Sequence, residues 1–159
     1  MKPILRSVVY LAALAAAVPV FGQASLPPAD VEKATGLKGV HLVPGTAPGA
    51  VPGRENYADA SGKIILWFQT MNGPMFARAK AQPARTMSGI QVEPKLYHAA
   101  IGGLGDEAFD SPDGKLQSAI YVRKGNAAFG VISNLDAAGK PRITMEQLKA
   151  IAAAVLSRM

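Results

Sequence analysis

Several groups of residues in this 159-residue chain could do chemistry. Gly103-Leu104-Gly105-Asp106-Glu107-Ala108 matches the glycine pattern of a dinucleotide-binding turn and follows an apolar segment, Leu96 to Ile101. A pyrophosphate needs the amide groups of an opening helix. Here two carboxylates occupy the turn, and Ser111-Pro112-Asp113-Gly114 arrives too soon for a helix, so the pattern reads as a backbone turn. The carboxylates Asp106, Glu107, Asp110 and Asp113 could hold calcium, but the alternating order and closing glutamate of a calcium loop are missing. Met71, Met75 and Met87, with the only histidines, His41 and His98, bring the thioether and imidazole donors that suit Cu(I). They are scattered, and the competing reading is gap-filling core methionine.

Neither histidine has a partner at metal-ligand spacing, and no Gly-x-Ser-x-Gly turn occurs to expose a nucleophile. Nothing therefore commits the chain to catalysis. A hydrolase would have to assemble its serines and carboxylates from distant parts of the sequence, and no cofactor is implied.

Three residues are better suited to binding. Arg54 ends a tract with three Pro-Gly pairs, Pro44-Gly45, Pro48-Gly49 and Pro52-Gly53. Proline removes ladder donors and Pro-Gly favours turns, so this tract is a loop. Tyr121 and Arg123 alternate onto one side of an expected strand. Tyrosine and arginine are frequent interface anchors, which makes Arg54, Tyr121 and Arg123 the candidate contacts; the competing reading is ordinary solvated surface.

These residues must be positioned by a small set of elements. Pro27 to Gly36 reads as a short helix with prolines at its start and a glycine stop. Lys38 to Val43 reads as a strand. Ile64-Ile65-Leu66-Trp67-Phe68, apolar on both faces, reads as a central covered strand in which Trp67 is core, or the lining of a pocket. Gly73-Pro74 opens a helix, Met75 to Ala81, that Pro83 stops.

A two-residue turn at Gly125-Asn126, of a kind the II′ class accepts, sets a hairpin register. It pairs Val122 with Phe129, Ile120 with Val131, Ser118 with Ser133 and Leu116 with Leu135 on a largely apolar face. On the other face Arg123 meets Ala128 and Tyr121 covers Gly130. Thr144 and Gln147 have capping-box spacing ahead of a closing helix with Met145, Leu148, Ile151, Ala152, Val155 and Leu156 on one stripe.

Composition narrows the setting. No cysteine is present, which excludes disulfides, a thiolate nucleophile, cysteine metal sites and a cysteine-anchored lipid. Lys2 and Arg6, the apolar run Val8 to Val18, Pro19 and the small residues Gly22 and Ala24 read as a secretory signal peptide over residues 1–24. The run is about half the roughly 20 residues that a membrane span needs. Its removal lowers the net charge from +6 to +4, spread without a dense basic run, so nucleic acid is not an expected partner.

From about Ile101 onward, Gly103-Leu104-Gly105-Asp106-Glu107-Ala108-Phe109, Tyr121-Val122-Arg123-Lys124-Gly125-Asn126 and the alanine-rich closing helix resemble a pattern in small exported bacterial proteins and lipoproteins of unknown function. Val31-Glu32-Lys33-Ala34-Thr35-Gly36 is similar to their opening helix. The resemblance implies an α+β envelope domain and transfers no catalytic residue.

The expectation is a single α+β domain over residues 25–159: one antiparallel sheet of about five or six strands, with helices mainly on one face. It is expected to be periplasmic or secreted, without stable membrane insertion after leader removal. The expected role is a binding module that meets an envelope protein or other envelope component. The alternatives are a small-molecule or metal carrier, with copper the metal considered, and the unrecognised hydrolase.

Overall fold

A computed structural model describes residues 24–81, 84–85, 91–92, 99–110 and 118–159. The expected leader up to residue 23, Met87, His98, Asp113, the Ser111 to Gly114 turn and the Leu116 pairing lie outside the described residues. Ala24 is described, and it is buried in the main core with Leu26 and Val31.

The chain forms an α+β fold around one antiparallel sheet. Strands β1 (His41–Val43), β2 (Glu55–Ala58) and β3 (Ile64–Asn72) make a meander. Strands β6 (Ala99–Ala100), β7 (Glu107–Asp110), β8 (Ala119–Lys124) and β9 (Ala127–Ser133) make a second. β3 and β9 join the two, giving a seven-stranded sheet in the order β1-β2-β3-β9-β8-β7-β6. A separate pair, β4 (Ala84–Arg85) and β5 (Gln91–Val92), stands apart from it. The strand count exceeds the expected five or six. The added strand is β7, whose residues read from sequence as an acidic turn but pair with β8, Glu107 opposite Arg123 and Phe109 opposite Tyr121.

The helices are α1 (Pro28–Thr35), α2 (Gly73–Ala81) and α3 (Met145–Leu156). α3 starts at the expected capping box: Gln147 N–H donates to the Thr144 hydroxyl and Thr144 N–H to the Gln147 side chain. Its Leu148, Ile151, Ala152 and Val155 are fully buried against Ile120, Val122, Phe129 and Val131 of the sheet. α1 closes the same layer through Val31, and a salt bridge between Asp30 and Arg158 ties the two helices together. The Tyr57 hydroxyl, buried beneath this layer, donates to the Leu26 carbonyl and also meets the Glu55 carboxylate at 2.7 Å. Burial holds its phenol well above the usual range.

A bulge helps fill this core. Tyr57 pairs with Leu66 and Ala58 with Ile64, which leaves Ile65 without a partner opposite it. Two consecutive residues, Ile65 and Leu66, thereby join one cluster where strict alternation would send one away. The hairpin adopts the register set by Gly125-Asn126, including Val122 opposite Phe129 and Tyr121 opposite Gly130. It continues past the strands, where Ser133 N–H donates to the Ser118 carbonyl at 2.8 Å.

The other side of the sheet differs from expectation. α2 packs there, burying Phe76 against Phe109 and Ala128. Ala50 and Val51 of the Pro-Gly tract cover Trp67, Ala119 and Ile132. Helices therefore lie on both faces, two on one and one on the other. Among the described residues, no helix is long and apolar enough to cross a membrane.

Candidate functional site

The α2-bearing face is organised in cross-strand rows that follow from the register. Asn56, Trp67, Ile132 and Ala119 form the first. Gln69, Gly130, Tyr121 and Phe109 form the second, and Met71, Ala128, Arg123 and Glu107 the third. All three candidate contacts belong to this face.

Arg54 is placed by its neighbours. The buried Asn56 side chain accepts from Val51 N–H at 2.7 Å and donates to the carbonyls of Val51 and Arg54, closing the end of the Pro-Gly tract. The Arg54 guanidinium then sits over the Trp67 indole, 5.9 Å from the ring centroid, in a cation–π contact. Among the described residues, the buried Trp67 ring N–H has no hydrogen-bond partner. Beside Arg54 runs a polar groove of about 360 Å³, bounded by Glu55, Gln69, Thr70 and the exposed Met75.

Tyr121 is not the exposed anchor that strand alternation implies. Its ring stacks on Phe109 with centroids 5.0 Å apart and covers Gly130, where a Cβ would come within 2.9 Å of the tyrosine ring. Phe76 of α2 completes the aromatic cluster at 5.2 Å from Phe109. Burial raises the Tyr121 phenol above its ordinary value, and the Arg54 charge pulls it back in part. Arg54 and Tyr121 thus share one electrostatic neighbourhood.

Arg123 stands apart from Arg54, with the first and third rows four residues distant along β8, about 13 Å. Its guanidinium meets Glu107 at 3.3 Å, and Lys80 from the last turn of α2 meets the other oxygen of that carboxylate at 2.5 Å. The Lys80 ammonium and then the Arg123 guanidinium hold the Glu107 carboxyl below the usual carboxylate range. These groups, with Gly73, Phe76, Ala77 and Ala81, line an open groove of about 490 Å³.

The motifs that might have held a metal or nucleotide resolve into structure. Gly105 lies so close to the β8 backbone that a Cβ there would sit 2.5 Å from the Arg123 carbonyl, and Asp106 N–H donates to that same carbonyl at 2.8 Å. The glycine pattern thus serves a close approach of two chain segments and is followed by a strand. The Asp106 carboxylate accepts from Gly125 N–H at 2.6 Å and Glu107 is paired with cations, so these two neighbouring acids are engaged separately. His41 is level with Ile64 through Ala58, seven residues along β3 from Met71 and so about 23 Å away. His41 and Met71, both among the described residues, are therefore not brought together. Among the described residues, no group of three or more His, Asp or Glu side chains is arranged to hold a metal ion.

Reasoning from sequence missed Lys80 and weighed Glu107 only as a calcium ligand, because their partnership depends on the β7–β8 register and on α2 crossing above it. No periodic signal marked the strand, because Glu107-Ala108-Phe109-Asp110 places two apolar residues side by side between two acids. In comparisons with known proteins, no family model, no curated protein and no solved structure matches this chain.

Proposed function

We propose that this protein is an exported, non-enzymatic binding module of the bacterial cell envelope, and that it meets its partner through the α2-bearing face of the sheet. The observation that carries this reading is the placement of Arg54 and Arg123 on that one face, either side of an aromatic layer into which Tyr121 is packed. There Arg54 lies over Trp67, and Arg123 borders an open groove beside α2. An aromatic layer edged by cations and grooves has the composition of protein contact surfaces, where aromatic residues and arginine supply most of the attachment energy. Export rests on the leader-like residues 1–24 and on the resemblance of the C-terminal half to exported bacterial proteins.

The test is native mass spectrometry and in-envelope cross-linking of the protein in its own host, compared with Arg54→Ala combined with Arg123→Ala. A partner seen with the parent protein and lost from the variant, with the melting temperature kept, supports the reading. A partner retained in full by the variant rules this face out.

One observation favours a small-molecule carrier as the second reading: the buried Trp67 N–H has no acceptor among the described residues, and such a group costs about 1–3 kcal/mol unless something satisfies it. Trp67 is the sole tryptophan, so its emission reports the point directly. A shift on stripping the isolated protein of small molecules supports the carrier; unchanged emission leaves the contact surface.

A further inference from the structure

In the groove between α2 and the β7–β8 pair, one carboxylate is shared by two cations. Lys80 and Arg123 converge on the two oxygens of Glu107. The site therefore carries more positive than negative charge and already displays a ligand that it holds, a side-chain carboxylate. Lys80 is 55% exposed and Glu107 and Arg123 about one third, so these pairs contribute little to stability and exchange easily. Beside the charges, Phe76, Ala77 and Ala81 make an apolar wall, and the groove is open along its length.

We propose that this groove recognises an acidic, extended peptide segment of a partner protein, with Glu107 as the internal occupant that an incoming Glu or Asp side chain displaces. This rests on the reading of the α2 face as the contact surface and names the chemistry of the partner. The Arg123 fork and the Lys80 ammonium would bind the incoming carboxylate by charge-assisted hydrogen bonds, while its aliphatic stem lies on the exposed Ala77 and Ala81. A peptide suits the site better than a bilayer surface does. The cations sit at the wall of a groove where a side chain can enter, and one of them donates in the planar geometry that matches a carboxylate.

The decisive variant is Glu107→Gln, which keeps the shape of the side chain and removes the competing charge. In fluorescence anisotropy with a labelled peptide of alternating Glu and Ala, this variant binds the peptide more tightly than the parent, by about threefold to tenfold. Lys80→Ala and Arg123→Ala each weaken binding by about tenfold, and the matching Gln and Ala peptide does not bind. Melting temperature separates a binding loss from misfolding. If Arg123→Ala unfolds, Lys80→Ala and Glu107→Gln still decide.

Weaker binding by Glu107→Gln would make the carboxylate structural and overturn the proposal, as would absence of binding to the acidic peptide. Attachment to anionic phospholipid vesicles that the peptide fails to displace would assign the cations to a membrane surface. If these arms fail while the Arg54 and Arg123 double variant still loses its envelope partner, the carboxylate site falls and the wider contact surface stands.

Discussion

The two faces of the sheet use the same strands to opposite ends. On the α1/α3 face, branched aliphatic and aromatic side chains from β3, β8 and β9 meet a helix whose Leu148, Ile151, Ala152 and Val155 are fully buried, and Asp30 and Arg158 pair at its edge. On the α2 face, small residues, Ala128 and Gly130, alternate with large rings, and charged groups reach the layer itself: Arg54 on Trp67, Arg123 and Lys80 on Glu107. The first face gains stability from area removed from water. The second gives up some of that area and keeps cations poised beside aromatic surface, the combination a binding surface uses.

This contrast can be broken most forcefully from the α3 side. Leu148→Asp places an unpaired charge in a fully buried position and is expected to cost about 3 kcal/mol or more, with loss of the cooperative thermal transition. A melting temperature equal to that of the parent would remove α3 from the core.

The opposite face responds less. Gly130→Ala forces the Tyr121 ring away from its stack on Phe109, and the expected loss is about 1 kcal/mol, part of the overpacking cost being recovered by the better strand propensity of alanine. Near-ultraviolet circular dichroism of the tyrosines should change with it. An unaltered spectrum and unaltered stability would mean that the ring has room to move and that this layer is not packed.

The smallest effect is electrostatic and has a defined sign. The Glu107 carboxyl titrates below its unfolded value, so its pairing stabilises the fold above that unfolded value and the contribution is lost as pH falls through the lowered one. The melting temperatures of the parent and Glu107→Gln should therefore differ near neutral pH and converge in acid. A difference that persists in acid would assign the effect to packing.

How much of this was legible follows from the range of each signal. α3 and the β8–β9 hairpin are written locally: a capping box four residues long, a two-residue turn and a stripe at helical spacing. β7 was hidden because the same carboxylates that suit a turn, Glu107 and Asp110, stand at the ends of a four-residue strand whose pairing is settled only by its neighbour in space. The role of Tyr121 was half legible. Its place over Gly130 follows from register, but the ring that stacks on it belongs to β7 and the helix above belongs to α2. Alternation assigns a side chain to a face; it does not say whether that face meets water.

The anchoring of Leu26 bears on timing. Its carbonyl is bound by the buried Tyr57 hydroxyl, and Ala24 and Leu26, on either side of Ser25, are both packed into the core. A peptidase needs several residues drawn out into its cleft, so it could cut between Ala24 and Ser25 only while this stretch is still free. Cleavage after Ala24 is therefore favoured before the sheet closes over this stretch and slowed once Leu26 is packed.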